Sequence, residues 1–281
     1  MVASMVFWVI DNFSFGFQAQ AIPMSWQEII RPLGLAVYIL TILGLALNYF
    51  VTRKIKPGER GIQEADQEVE RYRKPTRILH WCQATSFVVL FVSGMVFFFS
   101  GSTAANGNWL HIVHRAAGII FISLPLLYLL VKWQAAWRGI KLAFQWGVDD
   151  LEWVKAAPQY YYLFEEQAMP SQGYLNTGQK VWWLMVIVFG PVLAVTGVLL
   201  WVFQADAARQ YYQLMLFYHD VSFIIIGNMF LVHIYLALIH PHAHPWESGP
   251  WNAMTRGKVT LGYARWHHGK WLEGLRKTEK P

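Results

Sequence analysis

Five stretches of this chain are apolar for long enough to cross a bilayer, which takes about 20 mostly apolar residues in a helix. Pro32–Val51 and His80–Ser100 carry no charge. Trp109–Val131 carries only Arg115, and Leu214–His240 carries only Asp220. Val181–Phe203 is uncharged, with Pro191 marking an expected kink. In lipid a backbone must satisfy its own polar groups, so each run is predicted to be a helix. The fold class is therefore all-α integral membrane with five spans.

The polar stretches divide the chain further. Residues 1–29 hold an apolar run, Val2–Ile10, and the triplet Ala19-Gln20-Ala21, which resembles a signal cleavage site. No Lys or Arg precedes Arg31, so the positive n-region of a signal peptide is missing. The segment reads as a retained external arm, followed by a first transmembrane helix at 30–52. Residues 53–79 form a basic link, and 80–240 hold the other four spans. Within these, the link 132–180 is near charge balance, rich in Trp and Tyr, and broken by Pro158 and Pro170. It is expected to form short helices along the surface. Residues 241–281 form a C-terminal tail.

Composition sharpens the class. Charged residues make up 14% of the 281-residue chain and hydrophobic ones 55%. A soluble domain carries about 25% charged residues, and a disordered chain has low hydrophobicity. Both classes are excluded. Aromatics reach 16%, including 15 Trp, and such rings collect at membrane–water interfaces. The net charge of +6 sits at the ends of the apolar runs, which points to membrane topology and not to nucleic acid. The link after the first span holds Arg53, Lys54, Lys56, Arg60, Arg71, Arg73, Lys74 and Arg77, and the tail after His240 holds seven more basic residues. The link 101–110 holds none, and 204–213 holds only Arg209. The basic side is expected to be cytoplasmic, with the N-terminus outside and the C-terminus inside.

The histidines carry the candidate chemistry. His80, His114, His219 and His233 lie within or at the ends of spans, where polar groups are costly and usually functional. His233 follows His219 by 14 residues. That is roughly 21 Å along a helix and returns to within about 40° of the same face. The topology then places His80 with His233 at the inner level and His114 with His219 at the outer level. Two imidazole pairs at two depths suit two b-type haems, each with two axial His ligands. The lone cysteine, Cys82, excludes a CxxCH attachment, so the haems are expected to be non-covalent. Copper or zinc fits less well, because no carboxylate or thiolate stands beside either pair. The plainer alternative is four separate hydrogen-bonding histidines in helix contacts.

Gly94, Gly118 and Gly197 would let a flat macrocycle approach the backbone, although small-residue helix packing explains each as well. Arg115 is a candidate partner for a haem propionate and equally for Asp220. His111 competes with His114 as a ligand, and His114 is preferred because it sits deeper. The HPHAHP run at 240–245 is read as a solvated loop, and His267-His268 as part of a tail docked on the bilayer or a partner.

Several motifs are similar to one family. They are RILHW around His80, SGMVFFF at Ser93–Phe99, HRAAG at His114, LNTGQK at Leu175–Lys180, TGVLLW at Thr196–Trp201, and the tail MTRGKVTLGYARWHHGKW at Met254–Trp271. The chain resembles the cytochrome b (gamma) subunit of membrane-bound formate dehydrogenases, a four-helix diheme cytochrome b, over about residues 70–275. The first helix and the arm lie beyond that resemblance. It implies haem ligation by His80 with His233 and by His114 with His219, the pairing that depth alone suggests. It also implies a quinone site (menaquinone or ubiquinone) near the cytoplasmic-side haem, at Asn176, Gly178, Gln179 and His233. The implied partners are an external iron–sulfur subunit, which supplies electrons, and a molybdenum or tungsten subunit, which oxidises formate. The implied location is the bacterial inner membrane. The same module could serve a hydrogenase or a thiosulfate or other sulfur-compound reductase. A haem-free, His-lined transporter is the alternative of another class.

Overall fold

The computed structural model describes residues 26–54, 67–100, 109–163, 169–203, 209–240 and 249–278. Most of the N-terminal arm, the loop after the second span and the HPHAHP run beyond His240 lie outside the described residues. Among the described residues five helices are long and apolar enough to cross a membrane: α1 (Trp26–Thr52), α2 (Lys74–Ser100), α3 (Trp109–Val131), and, after the link, α6 (Thr177–Val202) and α7 (Arg209–Ile234). The link holds two short helices, α4 (Trp133–Phe144) and α5 (Val148–Pro158), and a π-helical turn at Gln159–Leu163. The tail holds α8 (Gly249–Thr255) and α9 (Leu261–Thr278).

Two boundaries differ from the hydropathy reading. Helix α2 starts at Lys74, so His80 lies inside the helix and does not open it. Pro75 sits in the first turn, where its missing N–H costs nothing, so the helix extends back through polar residues that hydropathy discounts. Helix α7 gives way after His233 to a π-helical turn, Tyr235–Ile239, closed by the His240 N–H donating to the Tyr235 carbonyl at 2.8 Å.

The chain also contains a feature that the apolar pattern does not predict. Strands β1 (Glu68–Glu70) and β2 (Lys258–Thr260) pair antiparallel, with Val69 opposite Val259. The pair joins the basic link to the tail. Gly257 has φ +86°, and its carbonyl accepts the N–H groups of Arg71 and Tyr72 at 2.7 and 3.1 Å. A Cβ there would fall 2.6 Å from the Tyr72 carbonyl oxygen. Val259, Ala253, Ala264 and Leu272 form a small core beneath the strands. Arg71 is 5% exposed. Its guanidinium bonds to the Tyr174 carbonyl and lies 4.3 and 4.4 Å from the Tyr174 and Trp271 ring centres.

The chain forms two compact units, and each long helix contributes residues to both. The first comprises the described part of Met1–Leu40 with Ser86–Ile122 and Met185–Asn228. Its core is aromatic: the Tyr38 hydroxyl donates to the Phe223 carbonyl at 2.9 Å, and the Tyr38 ring meets those of Phe91 and Phe223. The second comprises Thr41–Thr85, Ser123–Leu184 and Met229–Pro281. It holds the strand pair and the described part of the tail.

Candidate functional site

Each unit holds one of the two histidine pairs. In the first, His114 on α3 and His219 on α7 lie near enough for their charges to interact. Ser93 on α2 and Thr196 on α6 serve the two rings in the same way. The Ser93 hydroxyl donates to the Val89 carbonyl four residues back at 2.6 Å, and Thr196 donates to the Val192 carbonyl at 2.6 Å. A hydroxyl has one proton to give. Each oxygen must then accept from the imidazole beside it, Ser93 from His114 Nδ1 at 2.7 Å and Thr196 from His219 Nδ1 at 2.9 Å. Both rings are thereby held as the Nδ1–H tautomer, with Nε2 left as a lone-pair donor. Gly197 adds a steric reason: a Cβ there would lie 3.3 Å from His219 Cε1, so the ring rests against the α6 backbone.

In the second unit, His80 on α2 and His233 on α7 are likewise within electrostatic reach. The indole of Trp182 on α6 stacks on the His233 ring, with centres 4.8 Å apart and planes 15° from parallel. His80 Nδ1 is buried and has no hydrogen-bond partner among the described residues. His80 thus differs from His114 and His219, whose Nδ1 atoms each meet a hydroxyl.

All four rings are half-buried. His240 and His268, by contrast, are 2% and 1% exposed, and each is bonded to a backbone carbonyl, of Tyr161 at 3.1 Å and of Gly173 at 2.8 Å. These two are packing histidines. The His111 ring centre lies 4.4 Å from that of Phe97, and its buried Nδ1 has no hydrogen-bond partner among the described residues. The Arg115 guanidinium sits 5.4 Å from the Trp201 ring centre, and Asp220 is within electrostatic reach of Arg31. Of the glycines expected to make room, Gly94 faces Phe223, at 3.1 Å from a hypothetical Cβ, and Gly118 has Leu90 at 3.8 Å.

Asn176, Gly178 and Gln179 lie in the second unit at the start of α6. Asn176 is the N-cap. Its N–H donates to Gln179 Oε1 at 3.1 Å, and the Gln179 N–H donates to Asn176 Oδ1 at 2.9 Å. This is a reciprocal capping box. Gly178 faces Trp153, whose ring would be 3.2 Å from a Cβ there. Behind the cap, Thr177 Oγ1 and Lys180 Nζ bond to Asp150 at 2.7 and 2.8 Å. Burial alone would raise the Asp150 carboxyl. The bonds from Lys180, Thr177 and the Gly147 N–H outweigh it and hold the group below its ordinary value. The cap uses both carboxamide oxygens, and the two –NH2 groups are not part of it. Trp182 follows Asn176 by six residues, roughly 9 Å along the helix, so the capped end of α6 lies near His233.

Residues 71–257 match the family described as prokaryotic cytochrome b561. The chain belongs to that family. As a prokaryotic cytochrome b561, it is expected to carry b-type haem, and the donor chemistry fits: imidazoles within spanning helices, two of them with Nδ1 against a hydroxyl, and a single cysteine, Cys82, at an exposed position. This cytochrome b561 is similar to the formate dehydrogenase cytochrome b556(fdo) subunit of Escherichia coli K12, with 28% identity over 75% of this chain and 94% of the relative. It is 28% identical to that organism's nitrate-inducible formate dehydrogenase cytochrome b556(Fdn) subunit, over 72% of this chain and 89% of the relative. It is 27% identical to the formate dehydrogenase cytochrome b556 subunit of Haemophilus influenzae Rd, over 76% and 87%.

Sequence reasoning singled out Gly94 and Gly197 and passed over the hydroxyls beside them. Ser93-Gly94 and Thr196-Gly197 are the same hydroxyl–glycine pair on two different helices. That repetition was the available signal. Trp182 had none, since nothing in a tryptophan-rich chain distinguishes one indole.

Proposed function

We propose that this chain is the membrane cytochrome b subunit of a formate dehydrogenase complex, holding two non-covalent b-type haems and delivering electrons to quinone. One observation carries the reading: two imidazoles in one unit are each fixed by a hydroxyl at Nδ1 so that Nε2 is presented as a ligand. In this reading His114 and His219 hold one haem, and His80 and His233 hold the other. Bound there, each iron porphyrin supplies reversible one-electron redox chemistry.

The chain's own residues position and solvate. Ser93, Thr196 and Gly197 orient the first pair, and Trp182 holds the plane of His233. Arg115 is proposed to neutralise a propionate. Residues 80–240 form the haem-binding core, with 30–52 an added helix. At the start of α6, the –NH2 groups of Asn176 and Gln179 and the Gly178 backbone are proposed to bind a quinone carbonyl, with His233 alongside. Quinone takes two electrons and two protons to become quinol, so the site needs such donors. The partners are an iron–sulfur subunit at the His114 side and a molybdenum or tungsten subunit that oxidises formate. In this reading the protein lies in the bacterial inner membrane, with the N-terminus outside and the C-terminus cytoplasmic.

Pyridine haemochrome analysis of the purified protein tests the core of this reading. Two acid-extractable protohaems per chain are expected; one haem, or a covalent one, would overturn it. Identification of co-purifying subunits separates a formate dehydrogenase from a hydrogenase or sulfur-compound reductase.

A further inference from the structure

We infer that Ser93 and Thr196 are positioning residues that lower the reduction potential of the site formed by His114 and His219, and so bias electrons toward the site formed by His80 and His233. The inference rests on the haem reading above and goes beyond it, because it concerns residues that would touch neither iron nor porphyrin.

Serine and threonine in membrane helices commonly donate back to the carbonyl four residues earlier. That habit explains the 2.6 Å bonds to Val89 and Val192. It does not explain why the same two oxygens each sit within 2.9 Å of a ring nitrogen on another helix. The arrangement occurs twice in one unit, on α2 toward α3 and on α6 toward α7. A hydroxyl oxygen that has spent its proton on a carbonyl is a polarised acceptor. The imidazole N–H that donates to it becomes a stronger electron donor through its other nitrogen. Greater donation favours the ferric state, which lowers the potential, and second-shell hydrogen bonding of this kind is a recognised lever on haem. Among the described residues the buried His80 Nδ1 has no hydrogen-bond partner, so no hydroxyl polarises that ring. The asymmetry therefore favours reduction at the His80 and His233 site.

The experiment is a redox titration of the intact complex, following the two haem absorbance components in Ser93→Ala, Thr196→Val and the double variant. Thr196→Ser serves as the conservative rescue. The expected result is that one component rises in potential by about tenfold in its ferric-to-ferrous equilibrium, about 59 mV for one electron, while the other stays in place and Thr196→Ser behaves as wild type. Loss of one haem alone in Thr196→Val, with retention in Thr196→Ser, also supports the role, since removing such a partner costs about 10- to 100-fold in affinity. Two unshifted components in the double variant would overturn the inference while leaving the haem reading intact. Equal shifts of both components, or loss of both haems in every variant including Thr196→Ser, would overturn it in favour of a purely structural role. A wild-type complex without two haem components would sink the haem reading itself.

Discussion

The Tyr235 hydroxyl donates to Asn48 Oδ1 at 2.5 Å, which ties α1 to the π-helical turn directly after His233. The other end of the Asn48 carboxamide donates to the Tyr161 carbonyl at 3.1 Å, and His240 bonds to that same carbonyl. One residue of α1 thus joins two π-helical turns, 159–163 and 235–239. Such turns are often found at functional sites, and they present carbonyls that an α-helix would have bonded internally. Asn48→Leu should take the Asn48 acceptor from the buried Tyr235 hydroxyl and leave only the Thr52 side chain beside it, at a cost of up to about 1–3 kcal/mol. The expected outcome is a lower midpoint in thermal unfolding followed by haem absorbance. Adding Tyr235→Phe should recover part of the loss, because removing both partners is far cheaper than removing one. A double-mutant cycle showing strict additivity would contradict the link.

Gly197 is predicted to admit no side chain without moving the His219 ring. A Cβ at 3.3 Å from His219 Cε1 requires the ring to give by a few tenths of an ångström. Gly197→Ala should therefore perturb the spectrum of one haem and leave the other unchanged, whereas Gly44→Ala, where nothing lies within 4 Å, should change neither. Low-temperature absorption spectra of the α-bands distinguish these outcomes.

His114→Ala and His219→Ala should each remove one haem, and His80→Ala and His233→Ala the other. His111→Ala should remove neither, since its ring packs tilted against Phe97 and, among the described residues, no hydroxyl holds its Nδ1. Haem-to-protein ratios for the five variants check the assignment. Loss of a haem in His111→Ala with retention in His114→Ala would reassign the ligand.

The five spans were legible because hydropathy over some twenty residues is a strong signal, and the 14-residue spacing of His219 and His233 survives any error in helix ends. What escaped was short or conditional. Strands of three residues, Glu68–Glu70 and Lys258–Thr260, carry no pattern of their own and are defined by each other across most of the chain. The start of α2 at Lys74 was hidden because its first turn is polar. The roles of Ser93 and Thr196 depend on which helix lies opposite, which the order of residues along one helix does not state. Asn48 was invisible for the same reason, and its partners lie 113 and 187 residues away.

The tail should loosen as pH falls. Burial, reinforced by the Arg71 guanidinium, holds the His268 imidazole well below its ordinary value. Its Nδ1–H donates to the Gly173 carbonyl at 2.8 Å. A released tail would titrate near about 6.5, so below that pH the released state binds more protons than the docked one. Docking stability is then full above pH about 6.5 and declines below it. Protection factors across 261–278, corrected for the intrinsic slowing of amide exchange at low pH, should be lower at pH 5.5 than at pH 7.5. His268→Gln keeps an N–H donor but does not titrate, and should flatten the difference. An unchanged pH response in that variant would assign it to another group.

The capping box at Asn176 and Gln179 changes how a quinone role must be tested. Replacing either residue by alanine removes a cap, which alone costs about 0.5–2 kcal/mol, so slower quinone reduction in such variants would have two explanations. The cap needs only the two carboxamide oxygens, which accept N–H bonds at 2.9 and 3.1 Å. Asn176→Asp with Gln179→Glu keeps those acceptors, and a negative charge at a helix N-terminus is favourable. The same pair of changes removes both –NH2 donors. If these donors bind the quinone carbonyl, the acidic variant should keep the wild-type haem spectra and thermal stability. Its reoxidation by a quinone analogue should slow by about 3- to 10-fold, the worth of a neutral hydrogen bond of about 0.5–1.5 kcal/mol. Asn176→Ala should instead lower stability first. Unchanged reoxidation in the acidic variant would leave Asn176 and Gln179 with the capping role alone and move the search for quinone donors to other groups near His233.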